Sequence, residues 1–422
     1  MKILYLHQYF STPQSGHGGR SYDFSVRLIK KGHTIDVVTS HNILTSVLDS
    51  VKKRSRMTLE GINIHVIRSD YSNEMGFLQR IKAFLHFAIA SSLYIIKLPR
   101  TDVVFATSTP LTIGIPGIVA AKLWSRPLVF EVRDLWPEMP IQLGWLKNPF
   151  LQQLAFRLER FIYNQSTRIV ALSDVMADGV AAIGYPRDRI VTIPNSSDSK
   201  LFQCDPDVAK QLRLKHGIED AFVCLYAGSI GFAHGVPILL DVARILKDSN
   251  PEVKIVVIGE GSERHLIEEG VNRHTLTNVL LLNPIPRVDI VKWVAAANLG
   301  FVLAQNTSLA VDSNNKYFDY CAGGLPVLVN ARSLVANQIE AANAGFAVRD
   351  GSADGMAEAI RRAVNNPSLL AKMRDNAARL GREVFDVDIR FVKFEQVLTD
   401  AVADWKKRPH RGYLHLKAEA KS

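Results

Sequence analysis

A lysine and an aspartate three positions apart, Lys316 and Asp319, are the residues here whose types and spacing best suit chemistry on a charged ligand. They lie in Ser313-Asn314-Asn315-Lys316-Tyr317-Phe318-Asp319-Tyr320-Cys321-Ala322-Gly323-Gly324-Leu325-Pro326, which reads as a short helix. Asn314 or Asn315 can cap its start, because a short amide side chain accepts from orphan backbone N–H groups. Gly323-Gly324 can end it in a left-handed residue, and Pro326 then feeds the apolar strand Val327-Leu328-Val329. Lys316 falls in the first turn, where a cation opposes the helix dipole unless an anion is there too. Asp319 shares its face. Cation, helix N-terminus and carboxylate together suit a phosphate attached to something that carries hydroxyls. The plainer alternative is a Lys–Asp pair on a solvated face.

Two further stretches could serve such a ligand. Gly228-Ser229-Ile230-Gly231-Phe232-Ala233-His234-Gly235 follows a strand ending at Ala227 and precedes a helix opening at Pro237. Glycines there let backbone N–H groups approach a diphosphate. The spacing is GxxGxxxG and no acidic residue ends the next strand, so a dinucleotide site is not indicated. A tight turn is the plain alternative. Gly18-Gly19, after the first strand, is the matching pair in the other half, with an ordinary loop as its alternative. Glu131-Val132-Arg133-Asp134-Leu135-Trp136-Pro137-Glu138 packs charges at the end of an apolar strand, which is costly unless they are paired or used. Pairing of Arg133 with Glu131 or Asp134 would account for it structurally; a place in a cleft would account for it functionally. The histidines show no ligand spacing, and neither paired cysteines, HExxH, DxD, GxSxG nor a Walker loop occurs.

The elements that must position these residues alternate. Short strands at Ile3–Leu6, Ile35–Val38, Gly61–Val66, Val103–Ala106, Leu128–Val132, Ile169–Leu172 and Ile190–Ile193 are separated by helical stretches. Continuous apolar strands between helices indicate a parallel α/β sheet. Pro194-Asn195-Ser196-Ser197-Asp198-Ser199, extended by Asp205-Pro206, reads as a break. A second alternating series then begins at Phe222 and runs through Val327–Val329, with a final helix over Asp388–Lys406. The expected architecture is two Rossmann-like α/β domains, 1–198 and 199–385, facing a cleft, then a terminal segment 386–422 with a helix and a basic tail. Ligands in such sheets bind beyond the carboxyl ends of the strands.

Composition agrees. The chain has 422 residues, 47% hydrophobic and 22% charged, which fits two globular cores and excludes wholesale disorder. Three cysteines without CxxC spacing fit a reducing cytosol. The opening apolar run is too short for a signal peptide, since His7 and Gln8 end it. The net charge of +10 concentrates in Phe77–Arg100, which has no acid, and in the tail from Trp405. Ile81–Leu98 is apolar almost throughout, yet too short between Lys82 and Lys97 to span a bilayer of about 20 residues. Burial in a core and a position on a membrane surface with snorkelling basic ends both remain open. The basic windows lack interleaved aromatic readers, so nucleic acid is not the expected partner.

Taken together these parts resemble the family 4 glycosyltransferases of GT-B fold over nearly the whole chain. The resemblance is carried by Gly18-Gly19 with Leu28-Ile29-Lys30-Lys31-Gly32-His33-Thr34-Ile35, and by Ile190-Val191-Thr192-Ile193-Pro194-Asn195-Ser196-Ser197-Asp198. Asn315 to Val327, with Gly345-Phe346-Ala347 after it, completes the match. Phe130–Glu138 and Asn315–Tyr320 look like the bacterial surface-polysaccharide branch, which includes O-antigen and capsule transferases for acetamido-deoxy sugars such as fucosamine.

The resemblance implies retaining, metal-independent transfer from a nucleotide diphosphate sugar, usually a UDP-sugar, with no cofactor. It places Gly18, Gly19, Gly228, Ser229, Gly231, His234, Gly235, Asn315 and Lys316 around the donor diphosphate. It puts Asp319 on the ribose hydroxyls and Ile285 near the base. Arg133 and Asp134 are the candidates for positioning donor or acceptor at the reacting centre. The implied partners are the nucleotide sugar, a lipid-linked oligosaccharide acceptor and an anionic membrane surface, at the cytoplasmic face of the inner membrane. Three positions depart from the family's pattern. Val311 stands where the first Glu of a Glu-x7-Glu pair is usual, Arg133 stands where a His is usual, and the Arg and Lys of the diphosphate loop are missing. A non-catalytic nucleotide-sugar or lipid-binding protein and a UDP-sugar epimerase are the competing expectations.

Overall fold

The computed structural model describes residues 1–14, 19–41, 56–69, 71, 75–142, 144–305 and 315–407. Apolar strands alternate with helices from the start. β1 (Lys2–Leu6), α1 (Arg20–Lys30) and β2 (Thr34–Ser40) lead into the hairpin β3 (Arg56–Leu59) and β4 (Ile62–Ile67). α2 (Phe77–Ile95), β5 (Val103–Thr107), α3 (Gly114–Trp124), β6 (Leu128–Val132) and the short α4 (Glu138–Gln142) come next. α5 (Pro149–Gln165), β7 (Arg168–Ala171), α6 (Asp174–Ala182) and β8 (Ile190–Thr192) finish the half. The sheet order is β3-β4-β2-β1-β5-β6-β7-β8, parallel except for the β3–β4 hairpin. A buried core covers each of its faces, as continuous apolar strands require.

The second half repeats the scheme. α7 (Pro206–Lys215), β9 (Phe222–Ala227), α8 (Ile238–Lys247), β10 (Val253–Ile258), α9 (Arg264–Arg273), β11 (Val279–Leu282) and α10 (Arg287–Ala296) come first. β12 (Leu299–Val302), α11 (Asn315–Ala322), β13 (Val327–Val329), α12 (Leu334–Ala342), β14 (Gly345–Ala347), α13 (Ala353–Val364) and α14 (Pro367–Glu383) complete it. The sheet order is β11-β10-β9-β12-β13-β14, all parallel. α15 (Val387–Lys407) then leaves this half, and its Val387, Phe391, Phe394, Val397, Leu398 and Ala401 enter the core on one face of the first sheet.

Two sequence expectations change here. Asp205-Pro206, read as part of a break, starts α7: the Asp205 carboxylate accepts from the Asp207 N–H at 2.9 Å and Pro206 occupies the first helical turn. The segment around Ile81–Leu98 is neither wholly buried nor wholly on the surface. Phe84, Phe87, Ala88 and Ile95 are in the core, while Leu78, Leu85, Ile89 and Leu93 are exposed. Among the described residues no helix is long and apolar enough to cross a membrane.

Candidate active site

Lys316 is held by the packing of α11 on the second sheet. Tyr320, one turn on, is fully buried, and its hydroxyl accepts from the Ala227 N–H at 3.1 Å. Its ring packs against Gly300 of β12, where a Cβ would stand 2.6 Å from it. The helix stops as its sequence indicates. Gly324 is left-handed at φ 65°, and the Leu325 N–H donates back to the Tyr320 carbonyl at 2.8 Å.

That anchoring drives the Lys316 side chain inward, across the glycine turn after β9. Its Nζ lies 4.9 Å from the centre of the Tyr226 ring. A Cβ on Gly228 would stand 2.3 Å from Lys316 Cε and 2.8 Å from Nζ, and φ at Gly228 is 146°. Only glycine satisfies both conditions. Lys316 is buried, and burial lowers its pKa from 10.5 to about 8, against the opposing pull of Asp319. His234 lies in the same turn, and burial followed by the charge of Lys316 lowers its pKa to about 3. In the ligand-free site the imidazole is therefore neutral near pH 7, a hydrogen-bonding group and not a second cation. Its Nδ1 is buried without a partner among the described residues. Ser229 and Gly231 lie on the same turn, and Gly235 closes it in a left-handed conformation against Gln305. A cavity of about 710 Å3 adjoins it, lined by Gly235, Pro237, Ile238, Gln305, Asn330 and Arg332 among others. Ile285 follows β11 at one edge of the sheet, half-buried against the core that α11 also enters.

Asp319 has partners that the sequence did not reveal. Its Oδ1 accepts from Arg287 Nη2 at 2.7 Å and from the Ser197 hydroxyl at 2.6 Å. Arg287 Nη1 reaches Asp23 Oδ2 of α1 at 3.3 Å, and Nη2 reaches Ser197 Oγ at 3.1 Å. Arg287 opens α10, so it is a cation in a first helical turn, as Lys316 is. That shared anomaly was the signal available in the sequence. The Val288 N–H also donates to the Pro13 carbonyl at 3.3 Å, so the loop after β1 faces the start of α10. The carboxyl ends of the two sheets therefore meet across one cleft.

The charges at the end of β6 sort themselves differently from either pairing expected. Glu131 is fully buried and binds Arg20 through Nε at 3.0 Å and Nη2 at 2.9 Å, while Thr107 donates to its other oxygen at 2.6 Å. Arg20 also donates to the carbonyls of Pro194 and Ile193, which fixes the first interdomain crossing to α1. Glu131 is thus structural. Arg133 approaches His7 Nε2 at 3.4 Å, and Asp134 accepts from Thr109 at 2.8 Å. His7 is buried, which lowers its pKa well below the ordinary value, with Arg133 adding to the effect. Arg133 and Asp134 therefore occupy the carboxyl end of the first sheet, on the opposite wall from Lys316. Gly18, Asn314 and Val311 lie outside the described residues.

Two α/β domains whose sheets face each other at the carboxyl ends of their strands make up the GT-B fold. The family model for the glycosyl transferase 4-like domain matches residues 15–196, and that for glycosyl transferases group 1 matches 208–380. The chain belongs to this glycosyltransferase family. It is similar to the capsular polysaccharide biosynthesis glycosyltransferase CapM of Staphylococcus aureus, 22% identical over 86% of this chain and 95% of that one. Its fold matches Anabaena HepE solved with UDP and glucose, at a TM-score of 0.69 and 19% identity over 95% and 100% of the two chains. It also matches sucrose-phosphate synthase from Thermosynechococcus elongatus, at a TM-score of 0.76 and 16% identity over 95% and 99%.

Proposed function

We propose that the protein transfers a sugar, of the acetamido-deoxy class, from a UDP-sugar to a lipid-linked oligosaccharide in surface-polysaccharide assembly. Transfer is retaining and needs no metal ion. The observation that carries this reading is Lys316: a buried cation in the first turn of α11, lying across a glycine turn at the carboxyl end of β9. A diphosphate there offsets both the burial of the ammonium and its clash with the helix dipole. The capsular role of CapM and the UDP and glucose bound by HepE support the choice of donor and pathway. Ile285 then marks the base side, Asp319 the ribose, and the cavity beside Gly235 the direction of the sugar.

In this scheme the bond from the anomeric carbon to the diphosphate oxygen breaks while the acceptor hydroxyl oxygen bonds to that carbon on the same face. The acceptor's proton passes to the departing phosphate oxygen, so no protein nucleophile is required. Lys316, the neutral His234 and the backbone N–H groups of the turn stabilise charge as it builds on the diphosphate. Arg133 and Asp134 orient the acceptor from the other wall.

The membrane part of the reading rests on the first domain. α2 exposes Leu78, Leu85, Ile89 and Leu93 beside Lys82, and Arg80 stacks at 5.6 Å over Trp145. Phe150, Leu154 and Phe161 of α5 are exposed too, with Lys122 at 5.9 Å over Phe161. Apolar side chains with interleaved cations suit the interface of an anionic bilayer.

The test is transfer itself. Purified protein with chelator, a panel of UDP-sugars and a lipid-linked acceptor extract should give a glycosylated lipid whose new linkage keeps the donor's anomeric configuration by NMR. Lys316→Ala should lower kcat/KM about a hundredfold, as loss of one charge-stabilising group does. Unchanged turnover in that variant would remove the diphosphate assignment. Released UDP with an epimerised sugar and no glycosylated lipid would give the epimerase reading instead.

A further inference from the structure

Arg287 joins both domains and the crossing between them. Asp23 belongs to α1 of the first domain, Ser197 to the crossing between domains, and Asp319 to α11 of the second. Arg287 is 5% exposed and Asp23 is 5% exposed. Burial acts to lower the Arg287 pKa, but Asp319 and Asp23 outweigh it and hold the guanidinium above its ordinary value. It stays charged. If the domains part, Arg287 and Asp319 travel together on the second domain, whereas Asp23 is left behind. Opening of the cleft would therefore break the Asp23 contact.

Gly19 supports the same reading on separate grounds. Its φ is −92°, which any residue adopts, so backbone freedom does not explain a glycine there. Space does. A Cβ at this position would stand 2.7 Å from Arg287 Nη1 and 3.1 Å from Asp23 Oδ2. The guanidinium passes directly over Gly19, so the closed contact needs a residue without a side chain. Both bonds to Asp319 use Oδ1, which leaves Oδ2 as the face of that carboxylate for a ligand hydroxyl.

We infer that Arg287 is a donor-positioning residue: it fixes the Asp319 carboxylate for the ribose and makes that arrangement depend on closure onto Asp23. The inference rests on the proposed ribose contact of Asp319. Closure and donor binding then favour each other reciprocally, since each stabilises the same orientation of one carboxylate. A ligand that orders Asp319 strengthens the bridge, and a bridge that orders Asp319 strengthens the ligand.

The experiment measures UDP affinity by calorimetry and the radius of gyration by X-ray scattering, with and without UDP. The proteins are wild type, Asp23→Asn, Arg287→Lys and Asp319→Asn. UDP should compact the wild type. Asp23→Asn alters only the partner left behind on opening, and should weaken UDP about tenfold, within the usual range of coupling energies, and abolish compaction. Arg287→Lys keeps the charge but loses the fork that spans two carboxylates, and should do the same. A lower Tm in Asp23→Asn with UDP affinity and compaction unchanged would make the bridge merely structural and overturn the inference. Asp319→Asn separates the layers beneath. If it leaves UDP affinity intact, the ribose contact falls and the coupling with it. If it weakens UDP while Asp23→Asn does not, the ribose contact stands and Arg287's role falls.

Discussion

Lys316 is the residue whose chemistry can be read most directly. With a folded pKa of about 8 against 10.5, it binds fewer protons in the folded state than in the unfolded state between those values. Stability lost to its burial is therefore fully felt below pH 8 and recovered as pH rises toward 10.5. UDP binding should show the complementary effect. Near pH 9 the free protein holds Lys316 largely neutral, and a diphosphate draws a proton back onto it. Calorimetry in two buffers of different ionisation enthalpy should find uptake approaching one proton near that pH and little net exchange at about pH 7.5, where Lys316 is mostly protonated and the UDP terminal phosphate, with a second pKa of about 6, mostly ionised. Lys316→Arg, which keeps its charge throughout, should remove the difference. Equal heats in both buffers at the higher pH would place the diphosphate elsewhere. Gly228 gives a second check, because an alanine there meets both a φ of 146° and the Lys316 stem. Gly228→Ala should cost UDP affinity about as much as Lys316→Ala, read by the same titration, while the β9–β10 core stays folded. The sequence showed Lys316 through its misplacement against a helix dipole. It marked Arg287 only by the same first-turn anomaly and not by its partner, because the contact of Arg287 with Asp23 spans 264 positions and leaves no local periodicity.

At the scale of elements, continuous apolar strands were the legible ones: β6, β9, β11 and β13 end where the pattern ends. Pieces that rely on neighbours were not. β3 is a short edge strand that exists through pairing with β4, and β14 is three residues added to the side of β13. α4 is one turn after the Trp136-Pro137 step, too short for a helical period to show. α2 was legible as an apolar segment but was placed at Ile81–Leu98 where the helix runs Phe77–Ile95, and its orientation was hidden because apolar residues occur on all its sides. Its solvent face now carries a prediction. Leu85→Glu combined with Ile89→Glu alters two exposed side chains, so Tm should hold. Cosedimentation with phosphatidylglycerol vesicles should fall about tenfold, from lost apolar insertion and added repulsion. Neutral phosphatidylcholine vesicles should bind the wild type weakly. Equal binding of variant and wild type to the anionic vesicles would move the docking face away from α2.

For the whole molecule, the decisive feature is that the chain crosses between domains twice and the two crossings hold each other. The Ser197 N–H donates to the Phe385 carbonyl at 3.1 Å, and the Val387 N–H returns to the Ser197 carbonyl at 3.1 Å. The Asp386 carboxylate also accepts from the Ser199 N–H at 3.3 Å and from its hydroxyl. Residues 197–199 and 385–387 thus make one pinned strap, the natural axis for opening the cleft that Arg287 closes. After the strap, α15 completes a domain begun nearly 400 residues earlier. Phe394 is fully buried, stacked 4.5 Å from Phe24 and edge-on 4.9 Å from Phe105. The first domain therefore lacks part of its core until α15 has been made. Phe394→Ala should cost about 3–5 kcal/mol, the usual price of an aromatic lost from a packed core, and the loss should be local. Hydrogen exchange should speed up at the β1 and β5 amides, which lie under Phe394. The β9 and β10 amides, whose cores contain no residue of α15, should exchange as before. Equal acceleration in both sheets would mean that the two domains unfold as one unit, and that the strap transmits stability as well as motion.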